Sequence, residues 1–263
     1  MPGLKEVRIR IASVKSTQQI TNAMKMVAAS KLRKAQTAIV KLRPYAAKLR
    51  EILQNLSTSV DSSEDNVYAR ERRPEKILLV VIASNRGLCG AFNSNIMKMA
   101  VTLMATTWQE QFSKNQLHLV TIGRKATEYF RKRKYPVIAS HDELFDNLTF
   151  QNASSVAEFL MKSFASGEYD RIELIYNQFK NAAVQKLIVE QYLPILPPAS
   201  TQAANAPAAG KPLPDYLFEP GKEVIIRELI PKTLRIQLFK AVLDSFASEQ
   251  GARMTAMQKA TEN

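Results

Sequence analysis

Few residues in this 263-residue chain have the type and spacing to do chemistry. They are a glycine-bearing segment, Arg86-Gly87-Leu88-Cys89-Gly90, and two histidines, His118 and His141. A phosphate loop needs backbone amides around the phosphate and a lysine that reaches it, hence Gly-x-x-x-x-Gly-Lys-Ser/Thr or Gly-x-Gly-x-x-Gly. Gly87 and Gly90 have neither spacing and read as a tight strand-to-helix turn. Cys89 is the single cysteine. It can form no internal disulfide, fits a reducing compartment and reads as structural. The histidines stand apart with no flanking carboxylate cluster, so they make no metal or acid–base site. No catalytic set, metal or cofactor is expected.

Charge points instead to partners. The formal net charge is +13, and it is unevenly placed. Residues 1–60 carry twelve Lys/Arg and only two acids, Glu6 and Glu51. A basic block of that kind meets an acidic or phosphorylated surface. Nucleic acid is disfavoured, because single-strand binders interleave aromatics for base stacking and residues 1–60 hold only Tyr45. The basic, acid-poor start superficially suggests a targeting leader, but its helical pattern runs on without a break to residue 56. The longest apolar run, Ile77–Ala83, is far too short to span a membrane.

The elements that must position these residues follow from periodicity. Leu4, Val7, Ile11 and Val14 begin a stripe in steps of three and four. It resumes as Ala28, Leu32, Ala35, Ile39, Leu42, Ala46, Leu49, Leu53, Leu56 and Val60. Between them the seam turns polar at Gln18, Thr21 and Lys25, with apolar residues displaced to Ile20, Met24 and Val27. This is a coiled-coil helix. Over residues 4–57 it would be about 80 Å long, with Pro44 only kinking it. Met24, Met26, Met254 and Met257 read as packing within the coil, or alternatively as an adaptable bearing surface.

Domain boundaries follow. Residues 1–60 form the N-terminal coiled-coil helix and 61–76 a polar linker. Residues 77–194 form an α/β domain, with strands at 77–83, 117–123, 171–179 and 184–194 and helices at 93–107, 124–132 and 154–166. A Pro/Ala-rich loop and foot segment covers 195–230. A C-terminal coiled-coil helix covers 231–263, with Pro231 at its start and Ile236, Phe239, Leu243 and Phe246 as its stripe. Small or flexible contacts follow: Ala247, Gly251, Ala252, Met254, Ala256 and Met257. Pairing the end helices antiparallel, with residue 57 opposite about 230, would put 263 opposite about 24 and leave residues 1–24 unpaired.

Four segments carry a family resemblance. RIASVKSTQQITNAMKMVAASKLRKAQ (10–36) resembles the N-terminal signature of the gamma subunits of F-type ATP synthases, and SEQGARMTAMQKATEN (248–263) their C-terminal signature. RGLCGAFN (86–93) and DYLFEP (215–220) resemble the family at corresponding places. The resemblance implies a central rotor shaft, an antiparallel coiled coil on a Rossmann-like α/β domain, and no catalysis by the chain itself. Proton-driven rotation of a membrane c-ring would be coupled by this shaft to ATP synthesis and hydrolysis in a surrounding hexamer of α and β subunits. The implied partners are the alpha, beta and epsilon subunits and the c-ring. The implied location is the cytoplasmic face of a bacterial inner membrane, peripherally.

By resemblance, Met24, Lys25, Ala28, Arg253 and Met257 face the hexamer, and Tyr216, Phe218 and Glu219 form the foot against the c-ring and epsilon subunit. Arg253 read without the resemblance simply points to water. The family's chains run on past the C-terminal signature, so the resemblance implies that the uppermost shaft contacts lie beyond Asn263. The redox control of plant relatives, which rests on a cysteine pair in an inserted segment, is expected to be absent. Two other functions were weighed: a soluble nucleotide-binding α/β enzyme, which would need a phosphate loop or catalytic constellation, and a basic coiled-coil scaffold for nucleic acid. The purified chain alone is therefore expected to hydrolyse no ATP, and turnover co-eluting with a homogeneous preparation would overturn this.

Overall fold

Helix α1, Leu4–Ser57, forms because nothing in its first forty residues breaks the helical repeat and one heptad seam runs down it. The computed structural model describes residues 3–57, 67–195 and 222–262. Thr21, Ala28, Leu32, Ala35, Ile39 and Leu49 are buried along α1, with Leu42 and Ala46 half-buried between them. Pro44 lies inside the helix at an exposed position. The carbonyl it deprives of a partner belongs to Val40, which is also exposed, so water can satisfy it.

The globular part follows as β1 (Ile77–Ile82), α2 (Phe92–Ala105), the short α3 (Gln109–Ser113), β2 (Leu117–Ile122), α4 (Arg124–Lys132), β3 (Val137–Ser140), a 3₁₀ turn (Asp142–Phe145), α5 (Phe150–Ala165), β4 (Arg171–Phe179) and β5 (Gln185–Leu193). The sheet order is β3-β2-β1-β4-β5, with β3, β2, β1 and β4 parallel and β5 antiparallel to β4. Strand β1, ILLVVI, is buried at every position because it lies in the middle with helices on both faces. On one face Ile77, Leu79 and Val81 pack against Ile96, Ala100 and Met104 of α2 and Ala126 and Phe130 of α4. On the other, Leu78, Val80 and Ile82 pack against Val156, Leu160 and Phe164 of α5.

Helix α6, Lys222–Glu262, completes that second face with Leu234, Leu238 and Val242. Its opposite side receives α1: Leu32, Ala35 and Ile39 meet Leu243 and Ala247 beside Phe179 at the end of β4. The helix was expected to start after Pro231, but it begins nine residues earlier and carries Pro231 inside it. The carbonyl left without a partner belongs to Arg227, which is exposed, so the interruption is tolerated. The pairing register differs too. Thr21 Oγ1 lies 2.7 Å from Thr261 Oγ1, and Gln18 Nε2 donates to the Thr261 carbonyl at 3.2 Å. The far end of α6 thus stands opposite residues 18–21 rather than 24. The polar residues Gln18 and Thr21 stay in the seam because they bond across it.

Other boundaries shift for local reasons. Helix α5 starts at Phe150, not Ser154, because Thr149 caps it, its Oγ1 accepting from the Asn152 amide at 3.3 Å. Strand β3 and helix α3 were not anticipated, being four and five residues long with little buried surface of their own. Residues 58–66, most of the expected linker's first half among them, and residues 196–221 of the Pro/Ala-rich segment lie outside the described residues.

Where β2 hands over to α4, Gly123 has φ +103° and its backbone runs directly under Ala83. A Cβ there would sit 2.2 Å from the Ala83 carbonyl oxygen, which is backbone and cannot swing aside. Gly123→Ala should therefore cost about 3 kcal/mol or more, combining an unfavourable φ with a main-chain clash. The measurement is the shift in urea midpoint of the isolated chain.

Candidate functional site: the shaft and its neck

The outward surface of α1 is basic and apolar together. Ile20, Met26 and Val27 are exposed, and Met24 and Lys25 are half-exposed. Nearer the N-terminus, Leu4, Val7, Ile11 and Val14 are all exposed, Leu4 at 82%. Glu6 is the one acid between residues 4 and 50. The outward surface of α1 is thus strongly basic, with apolar side chains among the cations.

The residues assigned by resemblance to the hexamer divide into two groups. Met24 and Lys25 remain partly outward. Ala28 and Met257 are buried in the seam, so within the chain their side chains serve packing. Arg253 is only 9% exposed and does not point to water as its bare sequence context implied. Met26 corrects the reading of the methionines as mainly coil packing, since it stands at 61% exposure on the far side of α1. Tyr216, Phe218 and Glu219 lie outside the described residues.

Arg253 belongs to a neck where α6, α1 and the 83–91 connection converge. Its Nη1 donates to Glu249 Oε1 one turn earlier, and its Nη2 donates to the carbonyls of Arg86 and Gly87, both at 3.2 Å. Burial raises the Glu249 carboxyl above its ordinary range, opposed by Arg253, by Lys31 of α1 and by Arg86. The turn itself is closed from inside. Ser84 Oγ donates to the Arg86 carbonyl at 2.7 Å, the Ser84 amide to Asn93 Oδ1 at 3.0 Å, and Asn93 Nδ2 to the Cys89 sulfur at 3.2 Å. Leu88 and Gly90 take the left-handed conformation at φ 59° and 58°, which folds the chain back tightly. Cys89 is buried in the fold of the turn, and burial pushes its thiol above the ordinary range. The side chains that might have met a phosphate are thus spent on each other.

Gly251, read from sequence as one of several small coil contacts, serves another neighbour. A Cβ on it would lie 3.1 Å from Ala182 Cα, at the tip of the β4–β5 hairpin. Thr255 Oγ1 also reaches the Ala182 carbonyl, at 3.4 Å. The hairpin tip is shaped by Asn181, whose Oδ1 accepts from the amides of Ala183 and Val184.

Two acids escaped the sequence reading, Glu190, which is half-buried, and Asp244, which is buried. Glu190 of β5 accepts from Tyr176 Oη at 2.6 Å and from Gln237 Nε2 at 2.8 Å. Asp244 of α6 is buried and neither of its oxygens makes a hydrogen bond. Desolvation pushes its carboxyl up to about 6, helped by Glu190 and opposed by Lys240, Arg43 and the nearby Phe179 amide. An i,i+4 acid–arginine pair among small residues could have signalled Glu249–Arg253; nothing in the sequence distinguishes Asp244 from a surface acid. His118 Nδ1 pairs with Tyr169 Oη at 3.1 Å, and burial lowers the pKa of His141. Among the described residues no three His, Cys, Asp or Glu gather as metal ligands, and no helix is long and apolar enough to cross a membrane.

The ATP synthase family matches residues 3–263. An ATP synthase gamma chain from Cytophaga hutchinsonii is 51% identical over 263 residues, covering all of this chain and 88% of the relative. One from Chlorobaculum parvum is 45% identical with the same coverage. Among solved structures, the central stalk and c-ring of the Tetrahymena thermophila mitochondrial ATP synthase aligns with TM-score 0.66 and 28% identity, over 92% of this chain and 99% of that one. The rotor of the Euglena gracilis mitochondrial ATP synthase shares the fold, with TM-score 0.63 and 22% identity over 97% and 90%.

Asp244 makes the chain's stability depend on pH. An acid whose folded pKa is raised binds its proton more tightly when folded, so stability is lost as pH rises from near 3.8 through about 6. Asp244→Asn should therefore stabilise the chain at pH 7.5 by on the order of 2 kcal/mol. Near pH 4 the advantage should almost vanish. Urea midpoints of parent and variant at the two pH values give the comparison.

Proposed function

The chain belongs to the ATP synthase gamma-chain family, and on that premise we propose how its parts carry rotation. It is the central rotor shaft of the synthase and a non-catalytic subunit. Rotation driven by protons through the membrane c-ring turns the coiled coil inside the α and β subunits and so couples to ATP synthesis or hydrolysis there. The observation that carries this reading is α1: a 54-residue helix, basic along its outward surface, that packs antiparallel against α6. Neither a nucleotide-binding enzyme nor a nucleic-acid scaffold has a comparable feature in its favour.

Within this reading Met24 and Lys25 meet the acidic surface of the hexamer, and Ala28 and Met257 support them from the seam. Tyr216, Phe218 and Glu219 form the foot against the c-ring and epsilon subunit. The location is the cytoplasmic face of the bacterial inner membrane, held peripherally through those partners.

Met24 is the contact most open to test. Its thioether adapts to changing neighbours without strongly preferring any. Lysine there would pair with carboxylates of the enclosing subunits, and in a partly desolvated interface such a pair exceeds the ~0–1 kcal/mol of an exposed one. One rotary position would then be favoured over the others. Met24→Lys should lower the protons pumped per ATP hydrolysed by the assembled complex, while assembly and hydrolysis persist. Unchanged pumping per ATP would remove Met24 from the contact.

A further inference from the structure

The tip of the 83–91 connection is exposed over Arg86, Gly87 and Leu88, with the Leu88 side chain 66% exposed beside the shaft. Tips of this kind are usually mobile, since few contacts hold them. This one is gripped from outside its own segment. The Arg253 guanidinium, itself buried, spans from Glu249 of α6 to the Arg86 and Gly87 carbonyls. The Arg86 carbonyl also accepts from Ser84 Oγ inside the turn, so Arg253 adds a second hold on it from outside. A planar guanidinium can donate to a carboxylate on one side and two carbonyls on the other; an ammonium on a flexible stem cannot hold all three in one geometry.

We propose that Arg253 is a positioning residue whose task is to lock the Arg86–Leu88 tip to helix α6. Its guanidinium faces inward as a clamp and is not offered to a partner. The clamp joins two elements at one point: α6 through Arg253 and Glu249, and the tip through the two carbonyls. Force applied to the tip then passes into the shaft without the turn yielding. With the clamp open, the same force bends the turn instead, and rotation slips against the enclosing subunits.

The chain contains its own reporter. Cys89 is the single cysteine and lies buried under the tip, so its reaction with a maleimide measures opening of the turn. Arg253→Lys keeps the charge near the thiol but loses the fork. Labelling of the isolated full chain at constant pH should quicken about tenfold or more, as expected when charge-assisted bonds to the turn are lost. Amide exchange along α6 should stay unchanged. Glu249→Gln, which leaves the two carbonyl bonds in place, should label within about threefold of the parent, on the same reasoning. In the assembled complex, Arg253→Lys should lower pumping per ATP while hydrolysis continues.

Unchanged labelling in Arg253→Lys would overturn the clamp, and unchanged labelling with lost coupling would show Arg253 acting directly on a partner. Faster labelling accompanied by faster exchange along α6 would mean that Arg253 merely stabilises the helix, and would overturn the proposal as well. Glu249→Gln labelling as fast as Arg253→Lys would assign the effect to the ion pair and not to the fork. Only the coupling measurement rests on the rotor-shaft reading; the labelling measurement tests the clamp without it.

Discussion

Between Ala241 and Gly251 helix α6 has almost no free face. One side closes the sheet through Leu238 and Val242, and the other receives Leu32, Ala35 and Ile39 of α1 through Leu243 and Ala247. A helix apolar or small on all sides is stable only where it is enclosed. The arrangement ties together the long helix and the globular layers, because α6 is a member of both. Without α6 the sheet would expose part of the face that α5 leaves uncovered, and α1 would lose the seam that keeps it helical, since helices in water take most of their stability from packing.

Placing so much of α6 inside the molecule brings polar groups inside with it, and their treatment differs. Glu249 and Arg253 are paired, and the arginine's Nη2 finds the two carbonyls at the turn. Buried pairs of this sort contribute little net stability but are specific, because breaking either partner strands a charge. Asp244 is the opposite case, a buried carboxyl without a hydrogen bond that keeps its proton up to about pH 6. Both lie on the helix that connects shaft to body. The connection is thereby sensitive to geometry at one level and to protonation at another.

The coil is uneven along its length. From Ala28 to Leu49 it is closed by apolar and small side chains. Toward the end of α6 it is held by Thr21, Gln18 and Thr261, whose bonds fix register at less cost in apolar surface. Beyond that, α1 presents Val14, Ile11, Val7 and Leu4 without a partner from the described residues of its own chain.

The amino-acid sequence by itself determined the kinds of element and the main seam. Heptad spacing from Ala28 onward and the unbroken apolar run Ile77–Ile82 each allow one structural reading, because periodicity and burial are properties of neighbouring residues. The family resemblance was legible for the same reason, since its signatures are continuous stretches. The tertiary structure alone decided which side chains remain available. Arg253 and Met26 each looked ambiguous along the chain; the first is drawn inward by two carbonyls about 166 residues away in sequence, and the second is left outside by the way α6 lies. Gly251 was chosen by a hairpin tip at Ala182, and the α6 register by a threonine pair some 240 residues apart. Such contacts depend on how layers stack, and no local pattern of residues encodes where the opposing layer will be.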